Sequence, residues 1–159
     1  MTPRRDTQRA KVYAAEEFVR TLFDRAAEHG NRVVDFFGTQ LTLPPEGRFA
    51  TVTAVQRYVD DVLAHVGADR PLAVWARRGA TAAHYERFDD GATIAVPDRR
   101  TSWALRELVV LHEIAHHLSD DDPPHGPEFV ATFCELADAV MGPEVGHVLR
   151  VVYAKEGVR

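Results

Sequence analysis

A chain of 159 residues is long enough to bury the core of one domain and too short to assume two. Hydrophobic residues make up 45% and charged residues 27%, an ordinary globular balance, and a net charge of −5 argues against a sequence-independent grip on nucleic-acid backbone. The single cysteine, Cys134, excludes an intramolecular disulfide and any cysteine-built zinc site.

Taken in order, residues Met1 to Asp6 are expected to be a frayed tail, with no apolar signal-peptide core behind them. No apolar run approaches the roughly 20 residues of a membrane span, so a cytoplasmic protein without a membrane partner is expected. From Thr7 to about Glu28, Val12, Tyr13, Ala15, Val19, Leu22, Phe23 and Ala26 recur at helical spacing, and His29-Gly30-Asn31 stops the helix. Arg32 to Leu43 is β-branched and aromatic, which predicts one or two short strands with a turn at Gly38-Thr39. A second helix from about Thr51 to Val66 carries Val52, Val55, Tyr58, Val59, Val62, Leu63 and Val66 on one face and ends at Gly67. Leu72–Arg77 and Ala82–Phe88 read as strands, and Asp89-Asp90-Gly91 turns the second into Ala92–Val96. Trp75 and Trp103 read as core or domain-edge packing.

A third helix should start with Ser102 as its N-cap and run unbroken to His117, before Asp-Asp-Asp-Pro-Pro ends it. Pro127 suits the first turn of a fourth helix, which Gly142-Pro143 terminates, and a last amphipathic helix covers about Glu144 to Tyr153. There is no repeat, linker or low-complexity tract. The expectation is one α+β domain over residues 1–159, a small sheet packed against helices.

The chemistry concentrates in Val109–Phe129, which holds His112-Glu113-x-x-His116 and then His125. Residues four apart share a helix face, so His112 and His116 can grip one ion, while Glu113, one position round, can take a proton from metal-activated water. Catalytic zinc takes three protein ligands and keeps one position open, so a third ligand is needed. His125, beyond the Asp/Pro turn, and Glu135, on the following helix, compete for it. His125 is placed first because Pro127 would start a helix just after it and Phe129 could pack beneath it. Glu135 is expected to face solvent or to support a histidine.

With eight histidines in the chain, a chance HExxH arises on the order of a few per cent of the time. The unbroken helix, the apolar Leu105, Leu108, Val109, Leu111 and Ile114 around the motif, and the following histidine weigh against chance. The bland alternative is a surface helix whose histidines bind nothing. His117 is expected at the surface or supporting a ligand, and His29, His65 and His84 as structural or solvent-facing. Asp120, Asp121 and Asp122 could orient a ligand histidine, although a solvated acidic turn is the simpler reading. Cys134 reads as a small buried hydrophobe.

His112-Glu113-x-x-His116 followed by His125-Gly126-Pro127-Glu128-Phe129 resembles the SprT-like metallopeptidases, in which HExxH precedes a third histidine in an H-[GS]-x-x-F context. Small metallohydrolases with the same core are similar too. Thr93-Ile94-Ala95-Val96-Pro97 matches the family's strand before the helix, and the likeness covers about Ala92 to Phe133. The Cys-rich zinc ribbon that often follows the family's catalytic domain has no counterpart in this sequence, and the spacing to His125 departs from the metzincin pattern.

The resemblance implies a zincin-like fold with HExxH on a central active-site helix, His112, His116 and His125 as zinc ligands, and Glu113 as general base. It implies a peptide or protein substrate, taken by strand addition along Ala92–Val96, and hydrolysis by water on zinc. Tyr85, His147 and Tyr153 are the possible oxyanion helpers. Two other functions stay open: a metal-binding regulatory or interaction module with a structural or vestigial zinc site, and a hydrolase of non-peptide amides. Three imidazoles do not by themselves select zinc over other divalent ions.

Overall fold

The computed structural model of the chain describes residues 2–79, 82–98, 105–120 and 122–159. The elements follow the order α1 (Arg9–His29), β1 (Val33–Phe36), β2 (Thr39–Thr42), α2 (Val52–Val66), β3 (Ala73–Arg77), β4 (His84–Phe88), β5 (Gly91–Pro97), α3 (Glu107–Leu118), α4 (Pro127–Met141) and α5 (Pro143–Lys155). The fold is therefore α+β, and the chain clusters into two units: residues 46–118, and residues 1–45 together with 119–159. Among the described residues no helix is long and apolar enough to cross a membrane.

In the unit of residues 46–118, Thr51 caps α2 by accepting from the Ala54 N–H at 3.0 Å, and Gly67 closes the helix at φ 70°. Val55, Val59, Val62 and Leu63 are the buried positions of α2. Leu72, Ile94 and Val96, with Leu108, Leu111 and Ile114 of α3, complete the core of this unit. Each such side chain contributes roughly 1.5–3 kcal/mol on burial. The strand order is β3-β5-β4, with β3 parallel and β4 antiparallel to β5. Gln56 of α2 seals part of the β3 edge: its Oε1 accepts from Val74 N at 2.7 Å and its Nε2 donates to Leu72 O at 3.0 Å.

Two expectations are corrected here. Ala92–Val96 is not an edge: β5 is the central strand, bonded on both sides, so no peptide can add along it. Trp75 is not a core residue but lies 62% exposed on β3, on the face it shares with its partner Ala95 rather than the face of the buried Ile94 and Val96.

The start of the motif helix also differs from expectation. Ser102 and Trp103 lie outside the described residues, and α3 begins at Glu107. Its cap comes from far away in sequence. Glu46 Oε2 accepts from Leu108 N at 3.0 Å, a carboxylate at the positive end of the helix dipole, and Arg106 holds that carboxylate through Nε at 2.9 Å. Both side chains of this ion pair are 5% exposed. Beside it, Glu107 N donates to Gly47 O and Glu107 Oε1 accepts from Gly47 N, each at 2.9 Å, and Tyr58 donates to Glu107 Oε2.

In the other unit α1 and α4 both pack on α5. Val12, Ala15, Val19, Phe23 and Ala26 give α1 its buried face, and Phe129, Phe133 and Leu136 give α4 its own. Inside this helical core the Tyr153 hydroxyl donates to Glu16 Oε2 at 2.7 Å, so the one buried carboxylate of α1 is satisfied by α5. Phe36 turns into the core from the β1–β2 hairpin, whereas Phe37, at φ 48°, stays exposed and stacks on Phe18. The N-terminal segment is not a frayed tail. Arg4 N donates to Asp122 Oδ1 at 3.2 Å, and Asp6 and Gln8 both bond to His125.

Candidate metal centre

The residues of α3 are apolar almost all round the helix, and Leu108 to Ala115 are all buried. A helix buried on every side fixes its polar side chains by packing, and these include His112, Glu113 and His116. His112 is 3% exposed, Glu113 8%, and His116 is half-buried. The Nε2 atoms of His112 and His116 lie 3.2 Å apart. Two nitrogens held about 2.0–2.1 Å from one tetrahedral ion are about 3.3 Å apart, so the pair already has the spacing of a chelate.

The far end of α3 is clamped. Arg70 donates to His117 O at 3.1 Å, and Arg87 to His117 O at 3.2 Å and to His116 O at 3.4 Å. Two guanidiniums on the last carbonyls satisfy the helix terminus and oppose its dipole. His117 is buried rather than superficial and makes two ring contacts: Nε2 donates to Arg70 O at 2.9 Å, and Nδ1 accepts from the Tyr85 hydroxyl at 3.0 Å. Burial holds its pKa below the usual histidine range, so the neutral ring suits both bonds. His117 thus braces the helix and offers no nitrogen to a metal.

Tyr85, on β4, also stacks on the His116 ring with centroids 6.2 Å apart, and its oxygen accepts from Arg87 Nε at 3.1 Å. Its proton is committed to His117. Of the other residues expected as oxyanion helpers, Tyr153 is buried against Glu16, and His147 is exposed on α5 with its ring edge toward Phe36.

The third predicted ligand lies in the other unit. His125 is 5% exposed, in the turn that ends where Pro127 opens α4. Phe129 packs beneath its ring as expected, with centroids 5.3 Å apart, and Tyr13 of α1 meets it edge-on at 5.2 Å. His125 Nδ1 lies 2.7 Å from Asp6 Oδ2. That carboxylate places the ring proton on Nδ1 and the lone pair on Nε2, the arrangement of a ligand histidine backed by an acid. Glu135, the competing ligand, is exposed on α4.

The residue missed from sequence is Asp6. The acids expected to orient a histidine do other work: Asp120 N donates to Glu128 Oε1 at 3.4 Å, Asp122 accepts from Arg4, and Asp121 lies outside the described residues. Cys134 is the buried small side chain expected of it, and burial pushes its thiol up to about 12. His29, His65 and His84 are exposed.

His112 and His116, in one unit, could hold a metal ion between them, and His125, in the other, carries a ring nitrogen suited to the same chemistry. Imidazole donors suit zinc, copper, iron or nickel, and the spacing of the α3 pair fits a small tetrahedral ion. No family model, no curated protein and no solved structure matches the chain.

Proposed function

We propose that the chain is a zinc-dependent hydrolase of the zincin type, acting on peptide bonds, with His112, His116 and His125 as ligands and Glu113 as general base. The observation that carries the reading is the 3.2 Å spacing of the His112 and His116 Nε2 atoms on a helix buried on all sides. His125 joins them as third ligand because its Nδ1 is taken by a carboxylate, which leaves Nε2 as the donor atom.

A bound divalent ion supplies a Lewis acid and brings water near neutral pKa. Glu113 follows His112 directly on α3, and its burial keeps its carboxylate out of bulk solvent. It takes the proton of the attacking water and delivers it to the leaving amine nitrogen. Arg70 and Arg87 hold the His116–His117 carbonyls, so the helix end that carries the second ligand stays in place through the reaction.

An extended substrate fits β4 better than β5. Among the described residues β4 pairs with β5 alone, and its Tyr85 stacks on His116. A peptide bonding to the outer edge of β4 would run beside the ligand pair.

The test is Glu113→Gln assayed for zinc content and for cleavage of an unstructured protein such as casein. Zinc retained with turnover lost supports Glu113 as the base. Zinc retained in wild type with no cleavage of proteins or of simple amides would favour a structural metal site.

A further inference from the structure

We propose that Asp6 is a positioning residue of the metal centre, holding His125 so that Nε2 is the atom presented to the ion, with Gln8 fixing the backbone beneath. The inference rests on the three-histidine reading given above. It makes the N-terminal segment, 119 residues before His125, part of the ligand set's support.

The contacts to His125 converge from several sides. Asp6 Oδ2 lies 2.7 Å from Nδ1, within the range of charge-assisted hydrogen bonds, and the two side chains are only 22% and 7% exposed. Gln8 Nε2 donates to the His125 carbonyl at 3.0 Å. The same amide reaches the backbone of Arg159, donating to its O at 2.9 Å and accepting from its N at 2.7 Å, so Gln8 is itself held at both ends. Arg4 N bonds Asp122 on the near side of the turn. Asp6 thus holds the ring of His125 and Gln8 its backbone carbonyl.

A purely structural histidine needs only some acceptor on its ring N–H, and a backbone carbonyl suffices, as Arg70 O does for His117. Asp6 brings a full charge instead. It does so at a cost, because its other oxygen, Oδ1, is buried and has no hydrogen-bond partner among the described residues. A carboxylate on Nδ1 makes Nε2 a stronger donor and locks the ring rotation, two effects that serve a ligand and that mere packing does not require.

The experiment measures zinc affinity by competition with a chelating indicator, using the full chain as wild type, Asp6→Asn, Asp6→Ser, Gln8→Ala and His125→Ala. Cobalt(II) absorption spectra and melting of the metal-free forms accompany it. The expected result is zinc binding 10–100-fold weaker in Asp6→Asn, an altered cobalt spectrum, and a metal-free melting point close to wild type. Gln8→Ala should weaken binding less. Whichever Asp6 variant folds carries the test. Wild-type zinc affinity and cobalt spectrum in that variant, with binding lost in His125→Ala, would overturn the role of Asp6 alone. Undiminished binding in His125→Ala, or none in wild type, would overturn the three-histidine reading and this inference with it.

Discussion

Asp6 and His125 meet at 2.7 Å through a carboxylate oxygen and a ring nitrogen. The segment that carries Asp6 has neither an apolar face nor a motif, and its place in the structure comes from these polar bonds. The helix that carries His112 and His116 is fixed chiefly in the opposite way, by apolar packing along Leu108–Ala115. Different forces thus set the two parts of the proposed ligand set, and they respond to different substitutions.

Glu46→Ala should destabilise the protein by about 3–5 kcal/mol, because it leaves Arg106 charged and buried and uncaps α3 together. Urea unfolding of the metal-free protein measures it. A loss under about 1 kcal/mol would mean that water or another acid takes over the guanidinium.

Gly67→Ala should cost about 1–2 kcal/mol. The residue sits at φ 70° with nothing within 4 Å of a built Cβ, so the penalty is conformational and involves no clash. The melting temperature should fall while zinc content stays unchanged. An unchanged melting temperature would contradict the left-handed cap.

Cys134 should resist alkylation at pH 8 in native buffer and react fully in urea, since burial pushes its thiol up to about 12. The linkage has a definite sign. From the ordinary thiol value of 9.0 up to about 12 the unfolded thiol has lost a proton that the folded one keeps. Raising the pH through that window therefore favours unfolding, and below it this group contributes no slope. Burial, helped by Glu107 and Glu16, also raises the pKa of Tyr58 and Tyr153, which adds to the effect. Urea midpoints should fall above about pH 9, less steeply in Cys134→Ala. Equal slopes would show that the thiol is not desolvated.

Tyr85→Phe removes both the donor to His117 Nδ1 and the acceptor of Arg87 Nε. The expected cost is about 1–3 kcal/mol, since a buried ring nitrogen loses its partner. Zinc should remain bound, because Tyr85 supplies no ligand. Loss of zinc with unchanged stability would instead place Tyr85 among the metal-binding groups.

The elements were legible where their signals are local. Gly30 and Gly67 end helices as read, Pro127 opens α4, and Asp89-Asp90 turns β4 into β5, because each depends on a few neighbouring residues. His125 above Phe129 was legible for the same reason. Strand order was not, since nothing within Gly91–Pro97 shows that two other strands flank it. Trp75 reads as packing from its residue type, which does not say which face of its strand is covered. The Glu46 cap and the Asp6 contact join residues 62 and 119 positions apart, and no periodicity or turn chemistry reports on such pairings.

The measurement closest to the central claim is the zinc content of the purified protein, wild type beside His112→Ala, His125→Ala and Glu135→Ala. The three-histidine site predicts near-stoichiometric zinc in wild type and Glu135→Ala, and its loss in both histidine variants. Zinc kept by His125→Ala but lost by Glu135→Ala, or no zinc taken up by wild type at all, would contradict it.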